Sequence, residues 1–155
     1  MDGAAELVNA TAIAIAGRAA LIRGPSGSGK SDLALRCLAQ GASPLIPSPA
    51  RLVADDWVRI VRAADRLRAE SPEGIRGKLE VRGLGIVTVD YAGAADAALL
   101  VEISPPAEIE RLPDETARST LMGMPLPVLR VAAFEASAEI KVLLALGAIA
   151  GSGAG

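Results

Sequence analysis

Short apolar runs, interrupted by glycine, proline and charged residues, dominate the pattern along the 155-residue chain. Branched and small apolar residues at 8–16 and 19–23 predict two strands, joined by a tight glycine-arginine turn as a hairpin. Apolar positions with helical spacing predict a helix over residues 31–40. Further apolar runs predict three more strands, at residues 51–61, 97–103 and 126–134. The composition of residues 135–148 predicts a second helix.

The segments between these elements are predicted to be connections. Residues 42–50 contain three prolines and two serines, which is typical of an exposed loop inserted at the surface. Residues 108–112 are expected to form a turn or a short helix. Residues 1–150 are expected to form one domain, and the glycine-rich residues 151–155 a flexible tail.

A glycine-rich stretch joins the second strand to the first helix. It fits the phosphate-binding pattern G-x-x-x-x-G-K-[ST] at every specified position, with the residues Gly24, Pro25, Ser26, Gly27, Ser28, Gly29, Lys30 and Ser31. Its N–H groups would bind phosphate at the start of the helix, Lys30 would reach the β- and γ-phosphates, and Ser31 would ligate Mg²⁺. A glycine-rich turn that fits by chance is the alternative, but strand, loop and helix follow in the required order. We therefore expect the chain to bind ATP with Mg²⁺.

Composition narrows the class of protein. Hydrophobic residues make up 51% of the chain and aromatic residues only 2%, so the core must consist of alanine and aliphatic side chains. The net charge of −2 argues against nucleic acid or an anionic membrane as the main partner. The longest uncharged apolar run, residues 142–151, is too short to span a bilayer, and a single cysteine suits a reducing compartment. We expect a soluble, cytoplasmic protein.

Acid–base chemistry must fall to carboxylates, lysine or water positioned by the backbone, because the chain contains no histidine. Asp55 and Asp56 interrupt the strand at 51–61, where strand alternation would point them to opposite faces. Beside a phosphate loop they are candidates for holding the metal and for orienting the nucleophile. The alternative is a strand end at which both acids meet water.

Glu80 is a further candidate carboxylate. It precedes Gly83 and Gly85, which would let the backbone pass close to a ligand, and Arg82, which could supply charge to a phosphate. A two-glycine β-bulge with solvated flanking charges is the alternative, and the spacing alone favours it.

Three blocks of sequence, at residues 24–31, 52–56 and 79–86, together resemble the catalytic domain of HPr kinase/phosphorylase. The third, Leu-Glu-Val-Arg-Gly-Leu-Gly-Ile, is similar to that family's own signature and is more specific than the phosphate loop. The resemblance covers residues 8–131 and is to the short form without the family's N-terminal domain. It implies an α/β fold: a P-loop kinase domain, related to phosphoenolpyruvate carboxykinase, with a mixed β-sheet flanked by helices.

The resemblance also implies an activity. Family members are hexameric, ATP-dependent serine kinases of HPr, the small phosphocarrier of the sugar phosphotransferase system, and they also run the reverse phosphorolysis. Carried over by position, Asp56 is the base toward the seryl hydroxyl and Lys30 is a catalytic residue. Ser31 and Glu80 hold Mg²⁺. Asp55, the other member of the acidic pair, is a further candidate metal ligand. Arg111 resembles the family's catalytic arginine, within a segment similar to its Asp-Arg-Leu.

The sequence departs from the family pattern at two places. Asn9 stands where the family has a catalytic histidine, and asparagine can donate a hydrogen bond to phosphate but cannot carry a proton or a positive charge. Residues 129–135 have no counterpart of the family's Pro-Gly-Arg-Asn element, which is associated with dephosphorylation. We therefore expect kinase activity rather than phosphorolysis.

Two other functions stay open at this point. The first is a nucleotide-binding regulator with little catalysis, which the asparagine at position 9 favours. The second is a small-molecule kinase that shares the loop but not the substrate.

Overall fold

The structure, a computed structural model, describes residues 3–152. Within this range eleven strands, two α-helices and one 3-10 turn follow one another along the chain. The elements are β1 (Ala5–Asn9), β2 (Thr11–Ile15), β3 (Arg18–Arg23), α1 (Lys30–Ala39), β4 (Arg51–Ala54), β5 (Trp57–Ala63), β6 (Arg66–Glu70), β7 (Lys78–Val81), β8 (Gly85–Thr88), β9 (Ala94–Ile103), the 3-10 turn (Pro106–Glu108), β10 (Arg118–Leu121), β11 (Met124–Val131) and α2 (Ala138–Ser152).

A mixed sheet forms the body of the molecule, with its strands in the order β1-β5-β6-β9-β3-β2-β4. The long strand β9 is central, because it pairs antiparallel with β6 near its start and parallel with β3 and β11 farther along. The parallel strands β3, β9 and β11 therefore end at the same edge of the sheet. The prediction of an α/β fold with a mixed sheet is confirmed.

The sheet curls because two long strands are each bent, and the two bends face each other in the sheet. The strand predicted at residues 8–16 is broken into β1 and β2. The strand predicted at residues 51–61 is broken into β4 and β5. The two halves of each pair with the other, β1 with β5 and β2 with β4. At the break, Asp56 takes a left-handed backbone conformation (φ 65°) and its carbonyl accepts a 3.0 Å hydrogen bond from Ala10 N–H. This unusual conformation turns the chain.

Two hydrophobic clusters lie on the two faces of the curled sheet. The inner cluster is rich in alanine, which suits the close approach of facing strands, and includes Ala10, Ala12, Ala14, Ala19, Ala54, Ala69, Ala95 and Ala97. The outer cluster fills the space between the sheet and the two helices, and includes Ile13, Ile22, Leu33, Val101, Val142, Leu143 and Leu146. Trp57, Tyr91 and Phe134 are all exposed, so the core of the described residues consists mainly of alanine and aliphatic side chains, as expected from the composition.

The first helix agrees with the prediction to within a residue. α1 begins at Lys30 and buries Leu33, Ala34 and Cys37, the face expected from the spacing. The loop that follows, residues 42–50, is mostly exposed as predicted, but Ile46 and Ala50 are buried against the outer cluster.

The C-terminal part differs more from the prediction. The strand expected at 126–134 runs over Met124–Val131, and a partner strand that was not predicted, Arg118–Leu121, precedes it. The last helix starts at Ala138 rather than three residues earlier and continues through the first two residues of the expected tail, while residues 153–155 lie outside the described part. No helix in the described range is long and apolar enough to cross a membrane.

Candidate functional site

The glycine-rich loop lies at the edge where β3, β9 and β11 end. β3 stops at Arg23, α1 starts at Lys30, and the loop between them turns through left-handed conformations at Gly27 (φ 79°) and Gly29 (φ 103°). Ser28 N–H donates a 3.0 Å hydrogen bond to the carbonyl of Pro25, which closes the turn. The carboxyl ends of parallel strands are where open α/β sheets bind ligands, so the loop stands at the expected edge.

Lys30 is folded into this loop. Its side chain is only 6% exposed, and its ammonium donates hydrogen bonds of 2.8 Å to the carbonyl of Gly24 and 3.3 Å to that of Pro25. A buried ammonium needs such acceptors. The lysine therefore holds a positive charge at the mouth of a loop that also presents the N-terminus of α1, and both features favour an anion.

Close packing at two glycines gives the loop its shape. A Cβ built on Gly24 would lie 2.6 Å from Ser28 Oγ, and a Cβ on Gly29 would lie 2.9 Å from the ring of Phe134. Ser28 Oγ is buried and has no hydrogen-bond partner within residues 3–152. A side chain at either glycine would therefore force a neighbouring group to move.

The carboxylate of Asp55 gathers hydrogen bonds from three separate segments. Ser31 Oγ donates to Oδ1 over 2.6 Å, Thr11 Oγ1 donates to the same oxygen over 3.0 Å, and the backbone N–H of Glu80 donates to Oδ2 over 3.0 Å. The acidic side chain thus faces the first turn of α1, next to the glycine loop. The alternative, in which both acids simply meet water at a strand end, does not describe Asp55.

Asp56 faces a different neighbour. The amide nitrogen Nδ2 of Asn9 lies 3.1 Å from the carbonyl oxygen of Asp56 and 3.3 Å from its carboxylate Oδ1. The backbone N–H of Asp56 donates to Thr11 Oγ1 over 3.1 Å. The sequence-based expectation of an extended strand at this pair is wrong, because the chain bends here. Even so, the two carboxylates take different partners, one toward the loop and one toward Asn9.

Glu80 joins the site through its backbone, while its side chain is exposed. It lies on β7, which pairs with β8 in a separate hairpin. Gly83 and Gly85 both have positive φ, at 86° and 105°, and a Cβ on either would meet nothing within 4 Å. These glycines therefore serve the geometry of the hairpin turn rather than a close approach of the backbone to other described atoms.

Arg111 lies away from this group of residues. It is exposed, in the segment between the 3-10 turn and β10, on the wall of an open cavity of about 760 Å³. The cavity also reaches Ile103 at the end of β9, whose Cβ is 3.2 Å from the Cβ position of Gly24. The arginine and the glycine loop thus border the same edge of the sheet, and no hydrogen bond joins them.

The residues at the acidic pair fit a magnesium ion. Mg²⁺ prefers hard oxygen ligands, and it keeps several waters while taking one or two carboxylates together with phosphate oxygens. Ser31 Oγ and the Asp55 carboxylate supply such oxygens side by side. No group of three His, Cys, Asp or Glu residues converges within residues 3–152.

Sequence reasoning missed the role of Arg36, which joins α1 to its neighbours. Arg36 donates to Asp32 over 3.0 Å, to Glu139 over 3.1 Å and to the carbonyl of Ala133, so it ties α1 to α2 and to the segment that follows β11. The four-residue spacing from Asp32 to Arg36 was visible in the sequence. The contacts with Glu139 and Ala133 come from tertiary packing and had no local signal.

Strand, glycine loop and helix on a curled mixed sheet define an α/β protein with a P-loop kinase-like fold. Residues 4–149 match the HPr Serine kinase C-terminal domain family, and the chain belongs to that family. The resemblance stated from the sequence is therefore confirmed.

Individual relatives agree with this membership. The chain is 33% identical over 124 residues to an HPr kinase/phosphorylase from Burkholderia lata, an alignment that covers 74% of this chain and 36% of the relative. It is 33% identical over 122 residues to an HPr kinase/phosphorylase from Burkholderia cenocepacia, covering 72% of this chain and 35% of the relative. The chain thus spans about a third of the length of these curated relatives.

A solved structure shows the same fold. The Hpr(Ser) kinase/phosphatase from Coxiella burnetii superimposes with a TM-score of 0.74, covering 92% of this chain and 90% of the other at 18% sequence identity. At this identity the likeness establishes the fold.

Proposed function

We propose that this protein is an ATP-dependent kinase that transfers a phosphoryl group to a serine hydroxyl of an HPr-like phosphocarrier. The observation that carries the proposal is the hydrogen bond from Ser31, in the glycine loop, to the carboxylate of Asp55. It joins a phosphate-binding loop to an acidic pair, which is the combination that phosphoryl transfer requires. Membership of the HPr kinase family supports the choice of acceptor.

In this proposal the loop holds the triphosphate and the acidic pair serves the metal and the acceptor. Lys30 and the N-terminus of α1 neutralise phosphate charge. Ser31 and Asp55 hold Mg²⁺, with Glu80 as the third candidate ligand on the neighbouring hairpin. The ion supplies charge neutralisation to the transferred group when it is bound.

Asp56 is proposed as the base that accepts the proton of the acceptor's hydroxyl. Asp56 is an exposed residue, which leaves access for an incoming serine, and its carboxylate is the partner of Asn9 rather than of the loop. A positioned carboxylate within hydrogen-bond reach of a hydroxyl can take its proton. We propose Arg111, on the neighbouring cavity wall, as a source of positive charge for the acceptor side.

A regulator that binds nucleotide but transfers phosphate slowly is the second candidate. Asn9 favours it, because its neutral amide lies 3.3 Å from the Asp56 carboxylate, where a histidine could carry a charge or a proton. We also propose, from the family resemblance, a cytoplasmic location and assembly as a homo-oligomer, and transfer in the kinase direction rather than phosphorolysis.

The test is phosphoryl transfer with Mg²⁺ and labelled ATP to the HPr-like proteins of the same organism. Label should appear on a serine of one acceptor, and Asp56→Asn should abolish it while nucleotide binding persists. Asp65→Asn, an exposed aspartate in the turn after β5, is the matched control and should leave transfer unchanged. Nucleotide binding without transfer to any acceptor would reject the kinase and favour the regulator.

A further inference from the structure

An exposed aromatic ring stands directly beside the glycine loop. Phe134, the single phenylalanine of the chain, is 75% exposed. Its ring atoms Cζ and Cε1 lie 2.9 and 3.2 Å from the position that a Cβ on Gly29 would occupy. Gly29 is the residue that caps the N-terminus of α1. One edge of the ring therefore abuts the loop, and most of its surface faces outward.

The backbone that carries this ring is held on both sides. Ala133, the preceding residue, is 4% exposed and its carbonyl accepts a hydrogen bond from Arg36 of α1. The following residue, Glu135, donates its N–H to the carbonyl of Ala132 over 3.1 Å. A ring on a fixed backbone loses little freedom when it binds a flat partner, which favours binding.

The exposure of this ring does not by itself indicate a function, because many apolar side chains are exposed in folded proteins. The position of the ring does indicate one. The ring lies three residues after the end of β11, at the edge of the sheet where β3 and β9 also end, next to the N-terminus of α1 that would hold phosphates. A nucleotide with its phosphates in the loop extends its base away from the loop, and an aromatic ring at the rim offers that base a stacking surface.

We propose that Phe134 is a stacking platform for the base of the nucleotide whose phosphates occupy the glycine loop. This inference rests on the proposed nucleotide binding and adds to it a base-binding residue from the segment between β11 and α2. Stacking on an aromatic ring is open to every base, because each has a π-face. The ring thus adds affinity for a nucleotide over a bare triphosphate.

The test compares two ligands that share the triphosphate and differ in the base. Mg²⁺-ATP and Mg²⁺-tripolyphosphate are titrated by calorimetry into the natural protein and into the Phe134→Ala and Phe134→Tyr variants. Phe134→Ala should weaken ATP binding by about tenfold or more and leave tripolyphosphate binding unchanged. Phe134→Tyr, which keeps the ring, should bind ATP nearly as well as the natural protein. Leu45→Ala, at another exposed apolar side chain on the loop at 42–50, is the control and should change neither.

Other outcomes would overturn the inference in distinguishable ways. An equal loss for both ligands in Phe134→Ala would mean that the ring only supports the loop, and so would a Phe134→Tyr variant as weak as Phe134→Ala. Unchanged affinities would mean that the ring has no role in binding. If the natural protein binds tripolyphosphate but not ATP, the base has no platform. If it binds neither ligand, the proposed function itself fails.

Discussion

Ser31 Oγ lies 2.6 Å from Oδ1 of Asp55, and this hydrogen bond ties the first turn of α1 to the bend between β4 and β5. The same oxygen of Asp55 also accepts from Thr11, on the neighbouring bent strand. Three elements that are distant in sequence therefore meet at one carboxylate beside the loop. A rearrangement of any one of them would change the position of the oxygens that we propose as metal ligands.

Removing either member of this pair should weaken the binding of magnesium. Asp55→Asn and Ser31→Ala are each expected to raise the Mg²⁺ concentration needed for nucleotide binding by about ten- to a hundredfold, the effect typical of losing a group that holds or orients a metal. Titration of Mg²⁺ at fixed ATP measures it. Asp65→Asn, on a remote turn, is the control. A magnesium requirement equal to that of the natural protein in both variants would contradict the assignment.

The sequence pattern was enough to predict those parts of the site whose residues are contiguous along the chain. The strand, the glycine loop and α1 follow one another along the chain, so their pattern alone predicted that Lys30 and Ser31 lie where the loop meets α1. The bend at Asp56 was not predictable, because it depends on the hydrogen bond from Ala10 on a strand far away in the sequence. The ring of Phe134 beside Gly29 was missed for the same reason: only the parallel pairing of β11 with β9 brings the end of β11 to the loop.

A side chain at Gly29 should destabilise the fold. Its φ of 103° is costly for any residue with a Cβ, and that Cβ would lie 2.9 Å from the Phe134 ring. We expect Gly29→Ala to lower the free energy of unfolding by about 1–3 kcal/mol, measured by urea denaturation. Gly41→Ala is the matched control, because nothing lies within 4 Å of its Cβ position and its φ is not positive.

The double variant Gly29→Ala with Phe134→Ala separates the two causes. It removes the contact with the ring and keeps the backbone strain, so it should recover part of the lost stability relative to Gly29→Ala alone. Full recovery would mean that the backbone conformation costs nothing, and a Gly29→Ala variant as stable as Gly41→Ala would refute both causes.

Cys37 should be inert in the folded protein and should make stability depend on alkaline pH. Burial, and secondarily the nearby Glu139 carboxylate, raise the pKa of the Cys37 thiol to about 12 from its ordinary value of 9.0. The fold favours the neutral thiol, so its contribution to stability is complete below pH 9 and is lost as the pH rises from there toward 12. Over this window we expect the free energy of unfolding to fall by up to about 1.4 kcal/mol per pH unit from this group.

Comparison with Cys37→Ala isolates that contribution from other groups that titrate in the same range. The difference in unfolding free energy between the two proteins, measured by denaturation at several pH values, should shrink as the pH rises above 9. Thiol labelling at pH 8 should be slow in the native protein and fast in denaturant. A difference that does not change with pH, together with fast native labelling, would show that the thiol ionises freely in the folded state.

Asn9→His is the substitution that decides between a working kinase and a regulator. Asn9 Nδ2 lies 3.3 Å from Oδ1 of Asp56, so a histidine at this position would place a titratable ring beside the proposed base. If the natural protein is impaired by the missing histidine, Asn9→His should raise the rate of transfer by about a hundredfold, the lower range for a positioned acid–base group. The gain should follow the titration of the new side chain in a pH–rate profile.

Asn9→Gln keeps an amide and should show no gain. The contrary result is an unchanged rate in both variants, on an acceptor that the natural protein phosphorylates efficiently. It would show that the amide of Asn9 is sufficient for the reaction and that the protein is not a slow nucleotide-binding regulator.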